Sequence, residues 1–134
     1  MNRKRTTPLR QPLWLAGVLI LMLGCGGCGP SASPSDPAEG RKALQTVLDA
    51  WKGGEKPDAL AQRTPPIHVT DGDWMSGLRL KGYKADDGGK LVGSDVNYNV
   101  VLELKTAKGK VVKKNAVYAV TTYPQLLVLR QDGP

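Results

Sequence analysis

His68 is the only histidine of the 134-residue chain, and Asp71 and Asp73 stand three and five residues after it, with Trp74 alongside. A neutral imidazole and a carboxylate that converge on one substrate can work as a general acid and base pair. Thr70-Asp71-Gly72-Asp73 is also a turn sequence, because Asp bonds its own backbone and Gly accepts angles that other residues avoid. The turn is the commoner use of such residues. It puts His68, Asp71, Asp73 and Trp74 at a rim of the domain, where they would border a pocket if one exists. Calcium takes about 6 to 8 oxygens, and this loop holds no further acid, so no metal is expected. Ser76 and Ser94 stand in no nucleophile motif, and one histidine would have to serve either. Gly88-Gly89-Lys90 lacks the strand before and helix after that a phosphate loop requires, and reads as a hairpin loop. No cofactor is implied, and no catalytic residue is assigned.

Lys105, Lys108, Lys110, Lys113 and Lys114 cluster around one hairpin. Lysines commonly guard exposed strands against edge pairing, and that is the plainer reading. The functional reading is attraction to an anionic surface, either lipid head groups or acidic envelope polymers. No aromatic stacking residues are interleaved with these lysines, which argues against nucleic acid.

The opening ten residues carry Arg3, Lys4, Arg5 and Arg10 with no acid, and the apolar run Leu13 to Leu23 follows. At ~1.5 Å per residue that run is about 16 Å long as a helix, roughly half the ~30 Å a bilayer core demands. It is the charged region and apolar region of a secretory signal rather than a permanent span. Both cysteines, Cys25 and Cys28, lie just beyond it, so no disulfide can cross the domain, and a lone CxxC without histidines is a poor metal site. Met22-Leu23-Gly24-Cys25, a small residue before a cysteine after an apolar run, resembles a bacterial lipoprotein signal. That resemblance implies residues 1–24 as a signal peptide and Cys25 as the acylated residue, carrying fatty acyl chains such as palmitate. It also implies an exported protein anchored to the cell membrane or outer membrane through an N-terminal lipid.

With four of the 19 basic residues in the signal, the exported part keeps 15 against 12 acids, a net of +3. Residues 25–35, rich in Gly, Pro, Ser and Ala, read as a lipidated flexible tether. Residues 36–134 form one small domain. Its first element is a helix: Asp36 caps it, Pro37 fits the first turn, and Leu44, Val47, Leu48 and Trp51 make one apolar stripe that Gly53-Gly54 ends. A short helical turn over 58–63 stops at Pro65-Pro66. The period then changes from 3.6 to 2. Strands are expected over about 77–85, 96–104, 111–121 and 126–130. Tyr98, Val100, Leu102, Tyr118 and Val120 should face the helix, and the two tyrosine hydroxyls then need partners.

A leading helix on a curved antiparallel sheet of about four strands is an α+β fold. The layout resembles the cystatin-like and nuclear transport factor 2-like domains, and the resemblance is one of pattern across roughly residues 36–132. Such domains include enzymes resembling polyketide cyclases, which implies an alternative in which His68 and Asp71 or Asp73 serve a cone lined by Trp51, Trp74 and Tyr98. The favoured reading is a membrane-tethered, non-catalytic, monomeric module that binds an envelope protein or polymer through its sheet face or loops.

Overall fold

Asp36 starts the first helix, α1 (Pro37–Lys52), by accepting the Glu39 N–H at 2.8 Å, with Pro37 in the first turn where no backbone donor is needed. Leu44, Val47, Leu48 and Trp51 are buried along one face, and Gly53 closes the helix. The computed structural model describes Gly29 and residues 33–131. The signal segment, Cys25 and Cys28 lie outside the described residues. Among the described residues, no helix is long and apolar enough to cross a membrane.

After α1 come α2 (Pro57–Ala61), β1 (Ile67–Thr70), α3 (Gly72–Met75), β2 (Arg79–Ala85), β3 (Lys90–Val92), β4 (Asp95–Lys105), β5 (Val111–Thr121) and β6 (Leu126–Gln131). The sheet order is β1-β6-β5-β4-β2, with β3 pairing the start of β4 on the edge that β2 takes further along. The sheet curls around α1 as a half-barrel. Two features correct the sequence expectation. There are six strands rather than about four, and β1 runs parallel to β6, so the sheet is mixed. Both missed strands are short, four residues in β1 and three in β3, and every residue of β3 is exposed, so it has no alternation to read.

The expected seam is otherwise present. Val96, Tyr98, Val100, Leu102 and Leu104 alternate inward along β4, opposite Ala116, Tyr118 and Val120 of β5, and all are buried. Each fully buried leucine contributes roughly 1.5–3 kcal/mol of transfer free energy. The Trp51–Trp74 stack and the buried tyrosines Tyr98 and Tyr118 fill the rest. Trp51 stacks on Trp74 with ring centroids 5.4 Å apart, while their indole N–H groups donate to the Leu78 and Glu55 carbonyls at 2.8 and 3.0 Å. Tyr98 donates to the Pro37 carbonyl at 2.5 Å. Its ring leaves no room behind it: a Cβ on Gly89 would stand 2.3 Å from Val96 Cγ1 and 2.6 Å from Tyr98 Cε1.

Ser35 is buried and ties the incoming chain to the sheet. Its N–H donates to the Ser94 carbonyl at 2.9 Å, and its hydroxyl accepts the Thr122 N–H at 2.9 Å. The chain therefore enters the domain at the end where β4 begins and β5 finishes.

Candidate functional site

Asp71 caps α3, which it can do because its side chain leaves an extended backbone and reaches forward to the N–H groups of Asp73 and Trp74, at 2.9 and 3.1 Å. The expectation of a rim position fails for it: Asp71 is 1% exposed. A buried carboxylate must be paired. Its Oδ2 accepts the Tyr118 hydroxyl at 2.5 Å and its Oδ1 takes a long contact from Arg130 at 3.3 Å. Arg130 also donates to Asp73 Oδ2, which accepts Lys114 Nζ at 2.9 Å. Two acids from the β1–α3 junction thus meet a tyrosine and a lysine of β5 and an arginine of β6.

Electrostatics follow from this arrangement. Burial by itself would raise the Asp73 carboxyl, but hydrogen bonds and charge from Lys114 and Arg130 outweigh it and hold the group below the ordinary carboxylate value. Burial pushes the Tyr118 phenol up, and the neighbouring Asp71 carboxylate adds to that push. Burial would lower the Arg130 guanidinium, yet the two carboxylates more than offset it. Three of the four carboxylate oxygens accept protein donors. This is the arrangement of a tie that fastens α3 to the sheet.

The remaining candidates separate. Trp74 is buried in its stack with Trp51, so neither ring lines an open cone. His68 is exposed on β1, on the sheet face opposite α1, in register with Leu127. It borders an open depression of about 450 Å³ with Glu39, Pro65, Pro66, Thr122 and Leu126, and that depression contains neither Asp71 nor Asp73. The structure does not bring the proposed acid–base residues together on one cavity.

No family model, curated protein or solved structure matches this chain.

The lysine cluster divides as well. Lys114 is spent on Asp73, and Lys113 lies 3.5 Å from Glu103. Lys105, Lys108 and Lys110 stay exposed at the β4–β5 hairpin, where Gly109 takes a φ of +81°. Lys105 lies in register with Arg79 of β2 on one side and Val111 of β5 on the other. Among the described residues, no carboxylate stands within ion-pair distance of Arg79, Lys105, Lys108 or Lys110. Nor do any three His, Cys, Asp or Glu residues gather as a metal site among them.

The sheet face turned away from α1 is the other surface of note. Val101 and Leu129 are 38% and 39% exposed on it, between the amides of Asn99, Asn115 and Gln131. A depression of about 420 Å³ runs over Asn99, Val101, Asn115, Val117 and Gln131, with Asp86 also in its lining. Sequence reasoning missed Arg130. The signal was available: Leu126, Val128 and Arg130 share one face of β6, so a charge sits at an inward position and calls for an acid.

Proposed function

We propose that the chain is a lipid-tethered module of the cell envelope that binds its partner on the surface of a cystatin-like domain rather than processing a substrate inside it. The supporting observation is the interior. The volume between α1 and the sheet, where a cyclase-like protein would hold its substrate, is taken up by Tyr98, Tyr118, the Trp51–Trp74 stack and the leucines of α1. The uncovered face with Val101, Val117 and Leu129 among amides offers the contact surface, since apolar groups ringed by polar ones suit a reversible interface.

Site-specific photo-crosslinking tests this reading in the full chain. Crosslinkers at Val101, Val117 and Leu129 should trap an envelope component, while those at Lys42 and Gln45, on the exposed side of α1, should not. Equal trapping from both faces, or none from the sheet, contradicts it.

A second reading, a small-molecule pocket, has the depression beside His68 and Glu39 in its favour. It would use His68 without Asp71 or Asp73. Ligand-observed NMR of the full chain against a set of small organic molecules, with binding signals that His68→Ala abolishes while the sheet-face crosslinks persist, would favour this reading over the first.

A further inference from the structure

At the end of the sheet where the chain enters the domain, three uncharged tips lie side by side. Ser35 joins two of them: its N–H donates to the Ser94 carbonyl in the β3–β4 turn, and its hydroxyl accepts the Thr122 N–H in the β5–β6 turn. The third leads into β1, which runs parallel to β6 with Ile67 opposite Leu126, so Pro65 and Pro66 border one depression with Thr122 and Pro124. The tips read Thr64-Pro65-Pro66, Leu91-Val92-Gly93-Ser94 and Thr122-Tyr123-Pro124-Gln125. Leu91, Val92 and Tyr123 are 50%, 49% and 59% exposed, and the three prolines are exposed with them. The β3–β4 tip is preformed, since Gly93 at a φ of +63° lets two residues close it against the Val92–Asp95 pair. Most acids around the tips have partners of their own. Asp36 caps α1, Asp87 pairs with Arg41, and Asp95 accepts the Thr121 and Ser94 hydroxyls at 2.8 and 3.3 Å. Glu39, beside Pro65 and Pro66, has no ion-pair partner among the described residues, so a neutral surface suits this end better than an anionic one. At the far end of the sheet, by contrast, the exposed Val111 has Lys105 and Lys110 beside it.

We propose that these tips form a lipid-contact rim, with Leu91, Val92 and Tyr123 entering the head-group boundary of the anchoring bilayer. The proposal rests on the tethered-module reading, which puts an acylated Cys25 ten residues before Ser35. A tether of that length, ~35 Å when fully stretched, leaves the domain free to lie on any side, so the tips decide which part meets lipid. Leucine and valine gain free energy by leaving water, and tyrosine suits the boundary, where its ring sits among apolar groups while its hydroxyl stays wet. The place of the tips makes lipid their partner. Ser35 stands between two of them, so in every orientation they stay within the tether's reach of the bilayer. The anchor then supplies a high local concentration of lipid, and a contact too small to recruit a free domain can form. Shallow entry of this kind, by roughly 5–10 Å, leaves the turn backbones in the hydrated boundary where their polar groups find water.

The full chain in neutral phosphatidylcholine vesicles, with a photoreactive diazirine part-way down one acyl chain, tests this. Acyl groups on the protein are counted by intact mass, and lipid adducts are located to the residue by mass spectrometry. Adducts at Leu91, Val92 and Tyr123 should exceed those at Met75 and Val111, two exposed apolar residues outside the rim, about tenfold or more. Leu91→Ser/Val92→Ser/Tyr123→Ser should lose most adducts from the three tips at an unchanged circular-dichroism spectrum, whereas Met75→Ser/Val111→Ser should keep them. Salt at about 0.5 M should change neither result, because screening weakens contacts between charges and not the burial of apolar groups. Adducts spread equally over the rim, Met75 and Val111 would mean that the domain has no preferred side on the bilayer, and overturn the proposal. So do tips without adducts, adducts lost in salt, or tips that crosslink to a second copy of the chain in place of lipid. An acylated chain whose tips take up no lipid refutes the rim and leaves the anchor standing. A chain without acyl groups whose tips still take up lipid refutes the anchor and keeps the rim, and a chain with neither refutes both.

Discussion

Tyr118 donates its phenolic hydrogen to Asp71 at 2.5 Å, and both residues are buried to within 1% of complete. The tyrosine stands in the middle of β5 and the acid caps a single-turn helix 47 residues earlier in the chain, so the bond closes a long loop against the sheet. Arg130 completes the pairing from the neighbouring strand.

Asp71→Ala should therefore be costly. It removes a helix cap, worth about 1 kcal/mol, and strands a buried tyrosine hydroxyl, worth about 1–3 kcal/mol. A loss of about 2–4 kcal/mol in urea unfolding is expected, with a smaller loss for Tyr118→Phe. A variant as stable as wild type would show that the tie contributes nothing.

Leu48→Ala should cost about 2–5 kcal/mol, because Leu48 has no exposed surface and the cavity it leaves cannot close against a sheet. His68→Ala, on an exposed strand position, should stay within about 0.5 kcal/mol. Circular-dichroism melts compare the two directly. The reverse order would mean that the core has been placed on the wrong residues.

Acid and alkaline limbs of stability have separate origins. Asp73 titrates below its ordinary 3.8 when folded, so the unfolded chain takes up the proton first. Its contribution is complete above that value and is lost as pH falls through the folded one. Tyr83 is the opposite case: burial and the bond it donates to Asp49 at 2.8 Å push it from 10.0 up to about 12. The unfolded phenol ionises first, so its contribution is complete below pH 10 and is lost as pH climbs towards 12. Asp73→Asn should flatten the fall in urea midpoint below about pH 4, and Tyr83→Phe should flatten the fall above about pH 10. Unchanged limbs in both variants would contradict these assignments.

Most of the core was legible in the sequence, because α1 and β4 carry unbroken periods of 3.6 and 2 over more than ten residues. The capping Asp36 and the need of Tyr98 and Tyr118 for partners were legible for the same local reasons. What was hidden depends on distant pairing. The four residues of β1 become a strand only beside β6, nearly 60 residues later, and α3 exists because Asp71 finds Tyr118 and Arg130. Asp71 looked like a turn former and is one, but its burial was decided by residues far along the chain. The lysines read as one cluster, whereas strand alternation sends Lys114 inward to Asp73 and Lys113 outward to Glu103.

The tethered-module account is tested most directly by metabolic labelling with an alkyne palmitate analogue, followed by fractionation of cells making the wild-type chain, Cys25→Ser or Cys28→Ser. The account predicts label and membrane association for wild type and Cys28→Ser, and neither for Cys25→Ser, which should appear in the soluble fraction. Undiminished label on Cys25→Ser, or wild-type protein that carries no label and fractionates as soluble, would contradict it.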